Sequence, residues 1–239
     1  MGPNHGNWGA KLNIFRHICN PKAWKMLKLT TAVSEGYPIK NIIFDFGGVI
    51  CNIKIKLSEL KFRELGFKGF SPSYSVEEGE GVFSRLEGGK ISVPEFSAIL
   101  KKHLKPDVTE KEILEAWNAM ILDIPSYRVK LLEEVRKSYR IFILSNSNEV
   151  HYNKYLSDFS KNYGYRSFND IFEKTWFSFQ IHLQKPSKEI FEYVIRDGNL
   201  DPSETLFVDD SIQHIESARN AGFRTYHLQP PEEITGLFE

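Results

Sequence analysis

Short apolar runs recur along the chain, each closed by polar or glycine-rich residues. Ile42-Ile43-Phe44 ends in Asp45, with Gly47-Gly48 directly behind it. Similar runs follow at Ile141–Leu144, Thr175–Phe177, Leu206–Val208 and Phe223–Tyr226. A continuous apolar run closed by a turn signal predicts a strand buried on both faces, the kind that parallel sheets use. Helical spacing fills the intervals: Val129, Leu131, Leu132 and Val135 mark one apolar face, and Ile190, Phe191, Val194 and Ile195 another. Ser187 is placed to cap the second of these helices. Asp201-Pro202-Ser203-Glu204 has capping-box spacing with proline at the first helical position. A helix from Ser211 to Ala221 should stop at Gly222, a left-handed C′ residue. Strand alternating with helix predicts an α/β fold, a doubly wound, Rossmann-like parallel sheet.

One stretch breaks the alternation. Residues 53–124 contain no strand pattern, only helical segments at Leu57–Leu65, Val93–Leu104 and Thr109–Ile121, punctuated by glycines and Pro72. They predict a helical insert, dividing the chain into a core of residues 39–52 and 125–239 and a cap of residues 53–124. Gly88-Gly89-Lys90 fails the P-loop pattern, since no strand leads into it, and is expected to turn one cap helix into the next. Residues 1–38 form an N-terminal extension in which Lys11, Arg16, Lys22, Lys25 and Lys28 precede the first acid, Glu35. Lys11 and Arg16 interrupt the only stretch resembling a secretory h-region. A loosely ordered extension is expected, with Met26 an alternative start; a helix that docks on a membrane surface or a partner is the other option.

Composition narrows the class. The 239 residues hold 31 Lys+Arg against 31 Asp+Glu, a net charge of zero that gives no basic excess for nucleic acid. Cys19 and Cys51 are too few for a disulfide framework, so a cytoplasmic location is expected. No apolar run approaches the roughly 20 residues of a membrane span. Nothing in the sequence sets the oligomeric state.

Ligands of open α/β sheets bind outside the carboxyl ends of the strands. There the sequence places Asp45, then Ser145-Asn146, then Lys185-Pro186 shortly after the third strand, then Asp209-Asp210. Three crowded carboxylates repel one another unless a cation neutralises them. Hard oxygen donors without His or Cys favour Mg²⁺ over zinc. With Lys185, Ser145 and backbone N–H groups around it, such a cluster suits a phosphoryl group, and an aspartate at its centre can act as nucleophile. Asp45-Phe46-Gly47 also spells the metal-binding triplet of protein kinases, but neither a glycine-rich loop nor a His-Arg-Asp loop precedes it.

Asp45-Phe46-Gly47-Gly48-Val49, Ser145-Asn146, Lys185-Pro186 and Asp209-Asp210-Ser211 resemble the four ordered motifs of the haloacid dehalogenase superfamily over residues 39–229. The Gly-Gly-Val loop is similar to that of a branch including sugar-phosphate phosphatases such as α-D-glucose-1-phosphate phosphatase. The resemblance implies a hydrolase that cleaves a small phosphorylated substrate through an aspartyl-phosphate. It implies Asp45 as nucleophile and Lys185 as the charge-screening lysine. It further implies Ser145, Asn146 and Gly48 around the phosphate, and Asp45, the Gly47 carbonyl and Asp210 as Mg²⁺ ligands with Asp209 behind them.

Two positions depart from that family pattern. Most such phosphatases carry a second aspartate two residues after the nucleophile, which protonates the leaving group; Gly47 holds that place here and has no proton to give. His214 stands where many members have Asp or Asn, and is expected to orient Asp210 or to face solvent. The missing acid keeps a non-catalytic module that binds a phosphorylated ligand as an alternative. A metal-independent dehalogenase is a further one, which the Asp209-Asp210 pair opposes. Phe83, Arg85, Glu87 and Trp117 are the cap residues expected near the leaving group.

Overall fold

The structure, a computed structural model, describes residues 28–30, 38–67 and 81–238. Strands β1 (Asn41–Phe44), β2 (Arg140–Ser145), β3 (Lys174–Phe177), β4 (Thr205–Asp209) and β5 (Arg224–His227) form one parallel sheet in the order β3-β2-β1-β4-β5. Successive side chains alternate between its faces. Ile42, Phe44, Ile141, Ile143, Leu206 and Val208 enter one core, and Ile43, Phe142, Leu144, Trp176 and Phe207 the other. With β1 buried throughout, its uninterrupted apolar run is what a sheet covered on both sides requires.

Helices α1 (Ile55–Glu64), α2 (Val82–Glu87), α3 (Val93–Lys101) and α4 (Glu110–Asn118) make up the cap. Phe83 sits at its centre, 4.6 Å from the Trp117 ring, 5.5 Å from Phe96 and 5.7 Å from Phe62. Capping boxes at Ser92/Glu95 and Thr109/Glu112 start α3 and α4. Where the chain leaves and re-enters the core, Ile53 and Ile121 pair antiparallel, with Lys54 N–H donating to the Met120 carbonyl at 2.8 Å. Helix α2 was not evident in the sequence: six residues between glycines are too short for a periodic signal. Gly88 and Gly89 (φ +64°) turn α2 towards α3.

The core continues with α5 (Ser126–Val135), α6 (Glu149–Tyr163), α7 (Ser178–Ile181), α8 (Lys188–Gly198) and α9 (Ile212–Asn220). Two capping expectations need correction. Asp201–Glu204 yields only a 3-10 turn over Pro202–Glu204, because Thr205 already belongs to β4; Asp201 does accept from the Ser203 N–H at 2.9 Å. Ser187 stands at the N-cap of α8 without a capping bond from its hydroxyl. Gly222 follows α9 at φ +93°, as the sequence suggested. Most of the N-terminal extension lies outside the described residues, but Leu29 is buried and pairs antiparallel with Phe238. Among the described residues no helix is long and apolar enough to cross a membrane.

Candidate active site

The strand order places β1 between β2 and β4, so three strand ends carrying polar residues meet at the point where the winding reverses. Asp45 follows β1 directly, its N–H donating to the Val208 carbonyl at 2.8 Å. Phe46 then turns the opposite way and plugs against Tyr155, Phe168 and Phe177, with ring centroids 4.6, 5.2 and 6.3 Å distant. That anchor leaves Asp45 pointing out of the sheet edge. The loop closes on itself through Ile50 and Cys51 N–H bonds to the Phe46 carbonyl. From beneath, buried Arg128 donates to the Ile50 carbonyl at 3.1 Å and forms a two-pronged ion pair with Glu233.

Lys185 reaches the centre of the cluster with its side chain fully buried. Its ammonium donates to Asp45 Oδ1 at 2.8 Å, Asp209 Oδ2 at 2.7 Å and the Leu144 carbonyl at 2.9 Å. Three donors meet three acceptors, so the group is saturated. Burial opposes its charge, but Asp209 and Asp45 outweigh that and raise its pKa. The Asn146 side chain fixes the lysine's backbone, donating to the Lys185 carbonyl at 2.8 Å and accepting the Lys185 N–H at 2.9 Å. This clamp was not visible in the sequence, where the resemblance set Asn146 only beside the phosphate. Ser145, at the end of β2, is buried beside it.

Asp45, Asp209 and Asp210 each offer an oxygen, and the three atoms lie within 4.8 Å of one another. Their environments differ. Asp209 is wholly buried; it also accepts from the Ser211 N–H at 2.8 Å and pairs with His214 Nδ1 at 3.0 Å. Burial raises its pKa, but Lys185 and His214 more than offset this and hold it low. His214 therefore does neither of the things expected of it: it backs Asp209, not Asp210. For Asp45, burial is the dominant influence, and Lys185 reverses it only in part, so its pKa is pushed up to about 6. Asp210 is raised by burial and by the neighbouring Asp209. Three acids against one lysine leave a surplus of negative charge. An all-oxygen donor set with that surplus fits a hard divalent cation such as Mg²⁺.

Glycines make room for this arrangement. A Cβ on Gly48, whose φ is +79°, would lie 2.2 Å from Asp210 Oδ2. At Gly47 a Cβ would meet Ile53 Cδ1 at 2.5 Å, so an isoleucine methyl fills the space that a side chain would need. Among the cap candidates, Phe83 and Trp117 are buried in the cap's own core, whereas Glu87 ends α2 against the sheet edge.

A protein-family model described as haloacid dehalogenase-like hydrolase matches residues 39–222. D-ribitol-5-phosphate phosphatase from Bacteroides thetaiotaomicron is 34% identical over 188 residues, 79% of this chain and 91% of that protein. The crystal structure of a HAD family enzyme from the same organism, in complex with magnesium and inorganic phosphate, superposes with a TM-score of 0.75. It is 34% identical, and the match covers 84% of this chain and 100% of that one. A HAD-like family hydrolase from Porphyromonas gingivalis matches at a TM-score of 0.68 and 28% identity, over 79% of this chain and 90% of its own. L-2-haloacid dehalogenase from Xanthobacter autotrophicus, at 18% identity, TM-score 0.51 and 78% and 76% coverage, shares the fold alone. With its four strand-end motifs gathered at one sheet edge and the family match running from the first strand to the last helix, the chain belongs to the haloacid dehalogenase-like hydrolases.

Proposed function

We propose that the protein is a Mg²⁺-dependent phosphatase of a small phosphorylated metabolite, a sugar or sugar-alcohol phosphate, working through an aspartyl-phosphate at Asp45. The observation that carries this is the Asp45–Lys185–Asp209 cluster beside Asp210, an anionic surplus at the switch point of the sheet. The similarity to a D-ribitol-5-phosphate phosphatase, and to an enzyme crystallised with magnesium and phosphate, supports the same chemistry. Asp45, Asp210 and the Gly47 carbonyl would hold the cation, which supplies neutralising charge for phosphoryl oxygens. Asp209, its oxygens engaged by Lys185, His214 and Ser211, would stand behind them.

In the first step the Asp45 carboxylate attacks phosphorus, the ester P–O bond breaks, and its electron pair leaves with the departing oxygen. Lys185 pins Asp45 Oδ1 and lowers repulsion between nucleophile and phosphate. Ser145, the Asn146 N–H and Gly48 would line the phosphate oxygens. Water then cleaves the aspartyl ester and releases phosphate. The test is turnover of p-nitrophenyl phosphate and of a panel of sugar and sugar-alcohol phosphates with Mg²⁺. Asp45→Asn is expected to abolish it; a folded parent protein inert towards the whole panel refutes the proposal. Gly47, with its side-chain space filled by Ile53, favours a second reading, a module that binds phosphorylated ligands without turnover. Calorimetric binding without hydrolysis is the result that would establish it.

A further inference from the structure

A phosphatase that acts on a sugar or polyol ester must protonate an alkoxide as it departs, and the position beside Asp45 that normally donates this proton is Gly47. Glycine carries no side chain to donate a proton, and Ile53 Cδ1 fills the space beside it. Lys185 has all three donors committed to Asp45, Asp209 and the Leu144 carbonyl. His214 sits behind Asp209. Burial pushes the Cys51 thiol up to about 12 and the Tyr155 phenol well above its ordinary value, so neither gives up a proton readily.

One acid approaches from the cap. Glu87 is the last residue of α2, and its carbonyl accepts from Ser178 Oγ at 2.6 Å. That hydroxyl also accepts from the Ser147 N–H at 2.9 Å, and its single proton is shared between the Glu87 carbonyl and the Ser147 carbonyl, the latter at 2.9 Å. Glu87 is thereby moored to the loops that follow β2 and β3, at the same sheet edge as Asp45. His182 Nδ1 and Gln184 Nε2 reinforce the mooring through the Gly88 and Ser84 carbonyls, at 3.3 Å each. Asp45 and Glu87 both act electrostatically on the buried Tyr155 hydroxyl, whose ring packs on Phe46 at 4.6 Å. Among the described residues the Glu87 carboxyl has neither a cation nor a hydrogen-bond donor, and the residue is half-buried at the end of α2.

We propose that Glu87 is the catalytic acid–base of this site, donated by the cap in place of the residue missing at Gly47. As the ester P–O bond breaks and its electron pair passes to the leaving oxygen, the Glu87 proton goes to that oxygen and releases a neutral alcohol. The resulting carboxylate then takes a proton from the water that attacks the aspartyl-phosphate, which restores the acid. Burial raises the Glu87 pKa to about 7, so both forms are populated near neutrality.

This inference rests on the phosphatase proposal, and the experiment separates the two. Glu87→Gln keeps the shape of the side chain and removes its proton. The readout is the ratio of kcat/KM for the best alkyl phosphate of the panel to that for p-nitrophenyl phosphate, whose leaving group departs without protonation. Because kcat/KM reports only steps up to leaving-group release, later hydrolysis of the aspartyl ester does not enter. The ratio is expected to fall by about 10²–10⁴. A ratio unchanged in Glu87→Gln, with both substrates falling together or neither falling, overturns the role of Glu87 while leaving the phosphatase intact. A parent protein that turns over nothing overturns both. An unfolding midpoint matching the parent's shows that the variant is folded, and Glu87→Asp, which restores the proton, is expected to recover part of the ratio.

Discussion

Gly48→Ala is the sharpest probe of the metal-binding edge, because its two consequences fall on different observables. At φ +79° an alanine is strained by about 1–2 kcal/mol, less roughly 0.4–1 kcal/mol from the stiffer unfolded chain, so stability should drop by only about 1 kcal/mol. The new methyl group would sit 2.2 Å from Asp210 Oδ2 and 2.8 Å from its Cγ. To reach the 3.0 Å below which such contacts are essentially never seen, the carboxylate must retreat by about 0.8 Å. Asp210 lies at the exposed rim, so the retreat costs little in folding. It is costly for ligation, since Mg²⁺ demands near-ideal octahedral geometry and metal–ligand distances tolerate only about 0.2 Å. The Mg²⁺ concentration for half-maximal turnover of p-nitrophenyl phosphate should therefore rise by about 10–100-fold, with the urea midpoint nearly unmoved. A half-activating concentration within twofold of the parent's, in a folded variant, would show that Asp210 is not a metal ligand.

Other outcomes follow from the same geometry. Lys185→Met leaves Asp45 and Asp209 buried without their cation and should cost about 3–5 kcal/mol by urea unfolding in chelator, with Mg²⁺ restoring part of it; a chelator midpoint equal to the parent's contradicts this. His151 is buried, and burial, despite its bond to the Trp117 carbonyl, lowers its pKa to about 4. As pH falls from about 6.5 towards 4, the unfolded chain takes up a proton that the native state refuses, so stability is lost across that window, by roughly 3 kcal/mol in all. Urea midpoints of the parent should thus fall more steeply between pH 7 and pH 4.5 than those of His151→Gln; parallel curves would dismiss the buried-imidazole account.

His151 also shows what ties the cap down. Its ring stacks on Trp117 at 4.5 Å, its Nε2–H donates to the Trp117 carbonyl, and its Nδ1 accepts from Asn148 Nδ2. The partners fix this tautomer, since a carbonyl only accepts and an amide NH₂ only donates. A core helix is thereby joined to a cap helix through a neutral imidazole. This contact lies apart from the Ser178–Glu87, His182–Gly88 and Gln184–Ser84 bonds, which hold the cap at the loops after β2 and β3.

The sequence by itself determined the strands, most of the longer helices and the residues of the cluster. Apolar runs such as Ile42–Phe44 and Leu206–Val208 are buried on both faces, and that requirement is written into every residue, so the strands were apparent without any partner. Asp45, Lys185, Asp209 and Asp210 were apparent because polar residues recur in order at or shortly after successive strand ends, which isolated turn or cap residues do not explain. Tertiary structure alone decided the strand order that sets β1 between β2 and β4, because register and neighbour choice depend on contacts across more than 90 residues. It also decided partners. That His214 backs Asp209, that the Asn146 side chain clamps the Lys185 backbone, and that the Glu87 carbonyl is tied to Ser178 are facts of distance that only the folded chain supplies. Local periodicity reports which face a residue buries; only the folded chain decides what it meets there.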